Sequence, residues 1–148
     1  MKKLLFLLIA LTTLTLIGCE NDGESSSSKF DGEWAIVADY DDEDGWDYYY
    51  DESWYYIVIS GNSLEVYEPD NWGGYSFKNG YYYCSRSNFR YSFDASFTIE
   101  GKKAYFNPNE DEYTYMEIKN NKLYLYDSDT PEDGYCEVYE RVNGFKGN

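Results

Sequence analysis

Histidine is absent from all 148 residues. That removes the usual general base near neutral pH, and with it every Ser-His and Cys-His arrangement. No glycine-rich phosphate loop, serine elbow or metalloprotease helix motif is present either. Acid–base hydrolysis by an Asp/Glu pair survives on composition alone. With 28 acidic residues, however, a carboxylate pair on neighbouring strands carries little information. No enzyme is expected, and no catalytic residue is assigned. Cations are scarce, 12 Lys plus Arg against 28 Asp plus Glu, for a net charge of −16. Such a field repels nucleic acid and anionic lipid surfaces and attracts cations and basic partners. Cysteine is limited to three residues, and without histidine to join two distant thiols the sequence argues against a zinc site. Aromatic residues, by contrast, number 31 of 148, which disordered chains do not sustain. The chain folds.

Met1-Lys2-Lys3 precedes an apolar run from Leu4 to Leu11, then a threonine-leucine mixture ending in Leu16-Ile17-Gly18-Cys19. Positive, apolar and small-residue regions in that order make an export signal, too short to be a transmembrane span of the mature chain. The cysteine directly after the small glycine resembles the lipobox of bacterial lipoproteins. That resemblance implies removal of residues 1–18, lipidation of Cys19 and attachment to a membrane through the acyl chains. A polar tether, 19–29, follows, with nothing to bury. Residue 20 is Glu rather than Asp. In the lipoproteins this chain resembles, that difference points to the outer membrane, and the acidic cluster behind Cys19 looks like the tag that carries some Bacteroidota lipoproteins to the cell surface. Loss of residues 1–18 leaves 130 residues, enough for one domain with a modest core. With Cys19 lipidated, Cys84 and Cys136 remain in an oxidising compartment. A disulfide between them would close a loop of roughly fifty residues, worth about 4 kcal/mol in the chain-entropy model. The alternative is two separate buried thiols acting as small hydrophobes.

From Phe30 onward no helix-period stretch occurs. Short β-branched and aromatic runs alternate with turn residues, the pattern of an all-β antiparallel meander. Strands are expected near 34–40, 54–60, 63–68, 75–78, 81–85, 97–100, 103–106, 113–119, 122–126 and 135–142. Gly61-Asn62, Asn79-Gly80, Gly101-Lys102 and Asn120-Asn121 supply tight turns between them. Ile57 and Ile59 share one face, and Leu123 shares a face with Leu125 while Tyr124 and Tyr126 share the other. Many strands are apolar on both sides, which suits a closed barrel or a sandwich better than an open sheet with exposed edges.

Gly32-Glu33-Trp34 opens the first strand, and Tyr139-Glu140-Arg141-Val142 closes the last. This framing resembles the lipocalin-like lipoproteins of Bacteroidota, small meandering barrels behind a lipidated cysteine. The resemblance covers residues 30–142, with 143–148 as a tail, and implies a lipocalin-like β-barrel of about 8–10 strands. In that group a Gly-x-Trp tryptophan seals one barrel end and an arginine from the last strand packs across its ring. Carried over, Trp34 and Arg141 become partners in a cation–π contact of about 0.5–2 kcal/mol. The very short turns and the acidic insert 39–52 depart from the group.

Two clusters remain. Asp39, Asp41 and Asp44 lie in one acidic segment, and Asp127 and Asp129 in another. Alternating oxygen ligands could hold calcium. Counting from Asp39, though, the sixth residue is Asp44 where a calcium loop needs glycine, so a solvated surface is the plainer reading and no cofactor is expected. Trp46, Tyr48 and Tyr50 crowd the acidic insert, and Trp72 and Tyr75 flank a Gly-Gly turn. Rings beside carboxylates suit stacking on sugar faces or a protein contact; filling a small barrel is the competing use. The function expected is non-catalytic: a membrane-tethered, lipocalin-like barrel binding a small molecule, glycan or protein outside the cytoplasm. The competing class is a structural or adhesive β-domain with a solid core.

Overall fold

The structure, a computed structural model, describes residues 29–71, 73–107, 113–128 and 134–147. The chain is all-β. Its strands are β1 (Gly32–Asp41), β2 (Gly45–Tyr48), β3 (Glu52–Ser53), β4 (Tyr56–Ser60), β5 (Ser63–Pro69), β6 (Tyr75–Lys78) and β7 (Tyr81–Tyr82). They continue with β8 (Phe89–Glu100), β9 (Lys103–Phe106), β10 (Tyr115–Lys119), β11 (Lys122–Tyr126), β12 (Cys136–Arg141) and β13 (Gly144–Phe145). The order β12-β11-β10-β9-β8-β5-β4-β1 is closed by a β12–β1 pairing into an eight-stranded antiparallel barrel. One edge of β1 pairs with β12, while its other edge serves β4 first and then β2. Closure leaves no bare edge among these eight strands where they overlap, which an acidic surface alone would not protect.

Alternation decides what goes inside. Trp34, Ile36, Ile57, Ile59, Leu64, Val66, Met116, Leu123, Leu125 and Tyr139 form one buried cluster, the barrel interior. Asn120 and Asn121 adopt φ of 51° and 62°, the left-handed pair that a two-residue hairpin needs, so β10 and β11 pair in tight register. Rings on the opposite face need a second cover. The segment between β5 and β8 leaves the barrel and folds β6 and β7 into a small sheet, ordered β13-β7-β6-β3, on the outside of the barrel wall. Ala35 and Tyr56 from the wall pack there against Phe77, Tyr82, Cys84 and Phe89. Runs 75–78 and 81–85, expected as members of the meander, are therefore its outer layer. Residues 143–148, expected as a tail, supply β13 instead. Phe145 of that strand stacks on Tyr82 at 5.2 Å, and the backbone N–H of Gly147 donates to the Cys84 carbonyl at 2.9 Å.

This second layer also corrects the disulfide expectation. Cys84 is a free thiol in the outer-sheet cluster, and Cys136 is a free thiol in another cluster with Ala38, Tyr115, Tyr126 and Val138. The excursion that builds the outer sheet carries Cys84 away from β12. Burial pushes the two thiols up to about 11 and about 12. They behave as small hydrophobes.

Trp34 is fully buried, and its indole N–H donates to the Phe30 carbonyl at 2.9 Å. Arg141, its register partner on β12, lies over the ring with the guanidinium carbon 4.1 Å from the centroid. The guanidinium also donates to the carbonyls of Lys29 at 2.7 Å and Asp31 at 2.8 Å. Gly32 is required beneath it: its φ is +137°, and a Cβ there would lie 2.6 Å from the guanidinium. Phe30, Trp34 and Arg141 close this end of the barrel.

Candidate functional site

The opposite end is polar. Asp39 and Glu137 are directly opposed in the β1–β12 register and face inward, because Tyr139 two residues on belongs to the interior while Cys136 and Val138 belong to an outer cluster. Like charges directly across a strand pair are destabilising. Four phenols converge on them. Tyr49 and Tyr135 each donate to Asp39 Oδ2 at 2.8 Å, and Tyr113 and Tyr139 each donate to Glu137 Oε2 at 2.7 Å. The Tyr135 hydroxyl also stands 3.4 Å from Glu137 Oε1, bridging the two carboxyls. Glu137 is 6% exposed. Burial raises its pKa, with the Asp39 charge acting in the same direction, while the phenol donors pull it back. Tyr139, Tyr135 and Tyr49 are all held as neutral donors, mainly by burial. A buried carboxyl with an ionisable neighbour has the environment of an acid–base pair. Here Asp39 Oδ2 and Glu137 Oε2 are each engaged by two phenols, and Glu137 has almost no solvent contact. The cluster fastens the seam of the barrel.

Calcium candidates fall partly in this cluster. Asp39 is taken by the two phenols, Asp41 Oδ1 accepts from the Glu43 N–H at 2.8 Å, and Asp127 Oδ1 accepts from the Tyr135 N–H at 2.8 Å. Asp44 is exposed, and Asp129 lies outside the described residues. Among the described residues no three carboxylate or thiol side chains converge on a metal-sized site.

The binding candidates separate in space. Tyr75 belongs to the outer sheet, where it donates to Asp70 and packs on Phe89; Trp72 lies outside the described residues, as does Cys19. Trp46, Tyr48 and Tyr50 come together. They project from β2 and the residues after it as a ladder starting at Tyr40, with centroid spacings of 5.3, 6.0 and 6.0 Å. Exposures of 49%, 51% and 81% put all three in water. A groove of about 450 Å³ runs beside them, with Ala38 and Val138 in its floor. Tyr124, Asn120 and the Lys122–Glu140 ion pair, 2.8 Å, form the facing wall. That wall comes from the β10–β11 turn and the outer face of β11 and β12.

No protein-family model matches the chain, and no curated protein matches it. Among solved structures the chain is similar to a lipocalin-like protein from Bacteroides uniformis ATCC 8492, with a TM-score of 0.44 and 8% identity over 77% of this chain and 99% of that one.

Sequence reasoning singled out the rings of the ladder but missed its facing wall and the carboxyl–phenol cluster. Tyr135, Glu137 and Tyr139 occupy alternate positions, a usable signal for a shared polar face. Assigning that face to the interior requires the register with Asp39. A bulge between Ile36 and Ala38 shifts that register by one, and nothing in the sequence announces it.

Proposed function

We propose that this protein is a non-catalytic, lipid-anchored barrel of the cell envelope that binds saccharide in the outer groove. The observation that carries the reading is the ladder of three exposed rings along one face of β2, standing opposite an amide and an ion pair. Large rings held in water on a strongly acidic protein mark a binding surface. Stacked rings offer apolar faces to pyranose rings, and Asn120, Lys122 and Glu140 offer donors and acceptors to hydroxyls. Inward side chains such as Trp34, Ile36, Leu123 and Leu125 pack as one buried cluster, which favours the outer face over a deep cup. The anchor reading rests on Leu16-Ile17-Gly18-Cys19, and Glu20 with the acidic residues around it supports the outer membrane as its location.

A glycan array probed with the protein tests the binding. Retention by saccharides, lowered about tenfold by Trp46→Ala or Tyr48→Ala, about 1.4 kcal/mol, is the expected result. No saccharide retained, or an undiminished signal from both variants, refutes it. The packed interior supports one alternative, an adhesive domain whose ladder contacts protein. In that case the array stays blank while the same variants abolish attachment to a protein surface. Intact mass of the membrane-extracted chain, beginning at acylated Cys19, tests the anchor.

A further inference from the structure

The protein has three arginines, and two are fully engaged. Arg86 forks onto both oxygens of Glu33 and lies over Phe145; Arg141 serves the plug. Arg90 is different. It is the register partner of Glu68 on β5, yet the two form no ion pair. Glu68 accepts instead from the Ser92 hydroxyl at 2.8 Å, and nearby Asp70 accepts from the Tyr75 hydroxyl at 2.5 Å. Among the described residues Arg90 meets no carboxylate, carbonyl or ring. In a chain with 28 acidic residues, a guanidinium passed over by its own cross-strand carboxylate has its donors in reserve.

It lines a cleft of about 340 Å³ together with Trp54, Tyr55, Pro69, Asn71 and the two acids. That size suits one ring-shaped ligand. Trp54 is half-buried against the barrel interior, so its indole is held without a ligand's help. The chain after the cleft packs closely on it: a Cβ on Gly74, at φ +61°, would lie 3.0 Å from the Ser53 carbonyl oxygen and 3.5 Å from the Trp54 ring.

We propose that this cleft binds a hydroxylated ring carrying one carboxylate, a uronic-acid type of sugar, with Arg90 forking the carboxylate and the Trp54 and Tyr55 rings contacting the body. Guanidinium geometry matches a carboxylate bidentately. Sulfate and phosphate also fit the fork. Their second charge, however, would meet Glu68 and Asp70 in the same cleft, within a molecule of net charge −16. A single charge is the tolerable load. Asn71 and the two carboxylates supply hydrogen-bond partners for hydroxyls. The site is separate from the outer groove and does not depend on it.

Tryptophan fluorescence of the purified full chain, titrated with glucuronic acid, glucose and sodium sulfate, tests this. Glucuronate should produce a saturable change at a concentration at least tenfold below glucose, and sulfate should not displace it. Arg90→Gln should reduce glucuronate to the level of glucose. Arg90→Lys, which keeps the charge but not the fork, should weaken it severalfold. All titrations are run in a Trp46→Ala background, which removes the groove's ring and its fluorescence, so the response reports the cleft whether or not the groove binds sugar. Equal responses to glucuronate and glucose, an unaltered Arg90→Gln titration, or displacement by sulfate would each overturn the assignment.

Discussion

Replacing Glu137 by glutamine should make the protein more stable at pH 7, and the gain should vanish in acid. Burial raises the pKa of this carboxyl above its ordinary 4.5. Between that value and the raised one, the native state holds a proton that the unfolded state has released. Stability therefore falls as pH rises through this window, by up to about 1.4 kcal/mol per pH unit for one proton. Below the ordinary value the contribution is complete. There the neutral carboxyl and the neutral amide are near isosteres, each able to accept from Tyr113 and Tyr139, and the two proteins should agree within about 1 kcal/mol. Above it only the wild type declines. Urea unfolding followed by fluorescence at half-unit steps from pH 4 to 8 gives both curves. Glu137→Ala is the control for the phenols: it orphans two donors and opens a cavity, and should cost about 3–5 kcal/mol in acid, a cost that shrinks as pH rises because alanine does not titrate either. A glutamine variant that is less stable by a constant amount, or whose deficit widens with pH, would show that the phenols stabilise the carboxylate beyond its desolvation and would refute the reasoning.

Arg141→Met should destabilise the barrel by about 2 kcal/mol, since it removes a cation–π contact and two carbonyl caps at a partly wet site; a shift in urea midpoint at unchanged slope is the readout. Unfolding without reductant should expose two reactive thiols in the chain beyond Cys19, and the native protein should react with neither at pH 8, because burial holds both thiols protonated. Alkaline titration of phenol absorbance should show two classes. Tyr56 and Tyr115, pushed up to about 12 by burial, should form the late class. Their folded values lie above the unfolded ones, so the stability they confer is complete below pH 10 and is lost as pH rises towards 12.

The antiparallel meander was legible because its turns and alternation agree; they left barrel and sandwich open, and the resemblance supplied the barrel. Asn120-Asn121 fixes β10 against β11, and Ile57 with Ile59 fixes the inner face of β4. The Trp34–Arg141 contact was anticipated through the Gly-x-Trp resemblance, and the guanidinium does lie over the ring, 4.1 Å from its centroid. The outer sheet was not legible. Tyr75–Lys78 and Tyr81–Tyr82 read like any other strand, and propensity does not say which layer a strand joins. Gly45–Tyr48 was hidden by the acids around it, though pairing with β1 is what aligns its rings. The Glu137 cluster was obscured by composition: one inward carboxylate among 28 is found only when register is known.

Joining β1 to β12 sets a condition on timing. Residues 34–40 bind residues 136–141, so the cylinder cannot shut until residue 141 is present. Until then β1 offers an unpaired border on that side, and closing it spans about a hundred residues of loop. Such a chain assembles late and as a unit. Fragments ending before Cys136 should remain open-edged and self-associate, and the intact sequence should not.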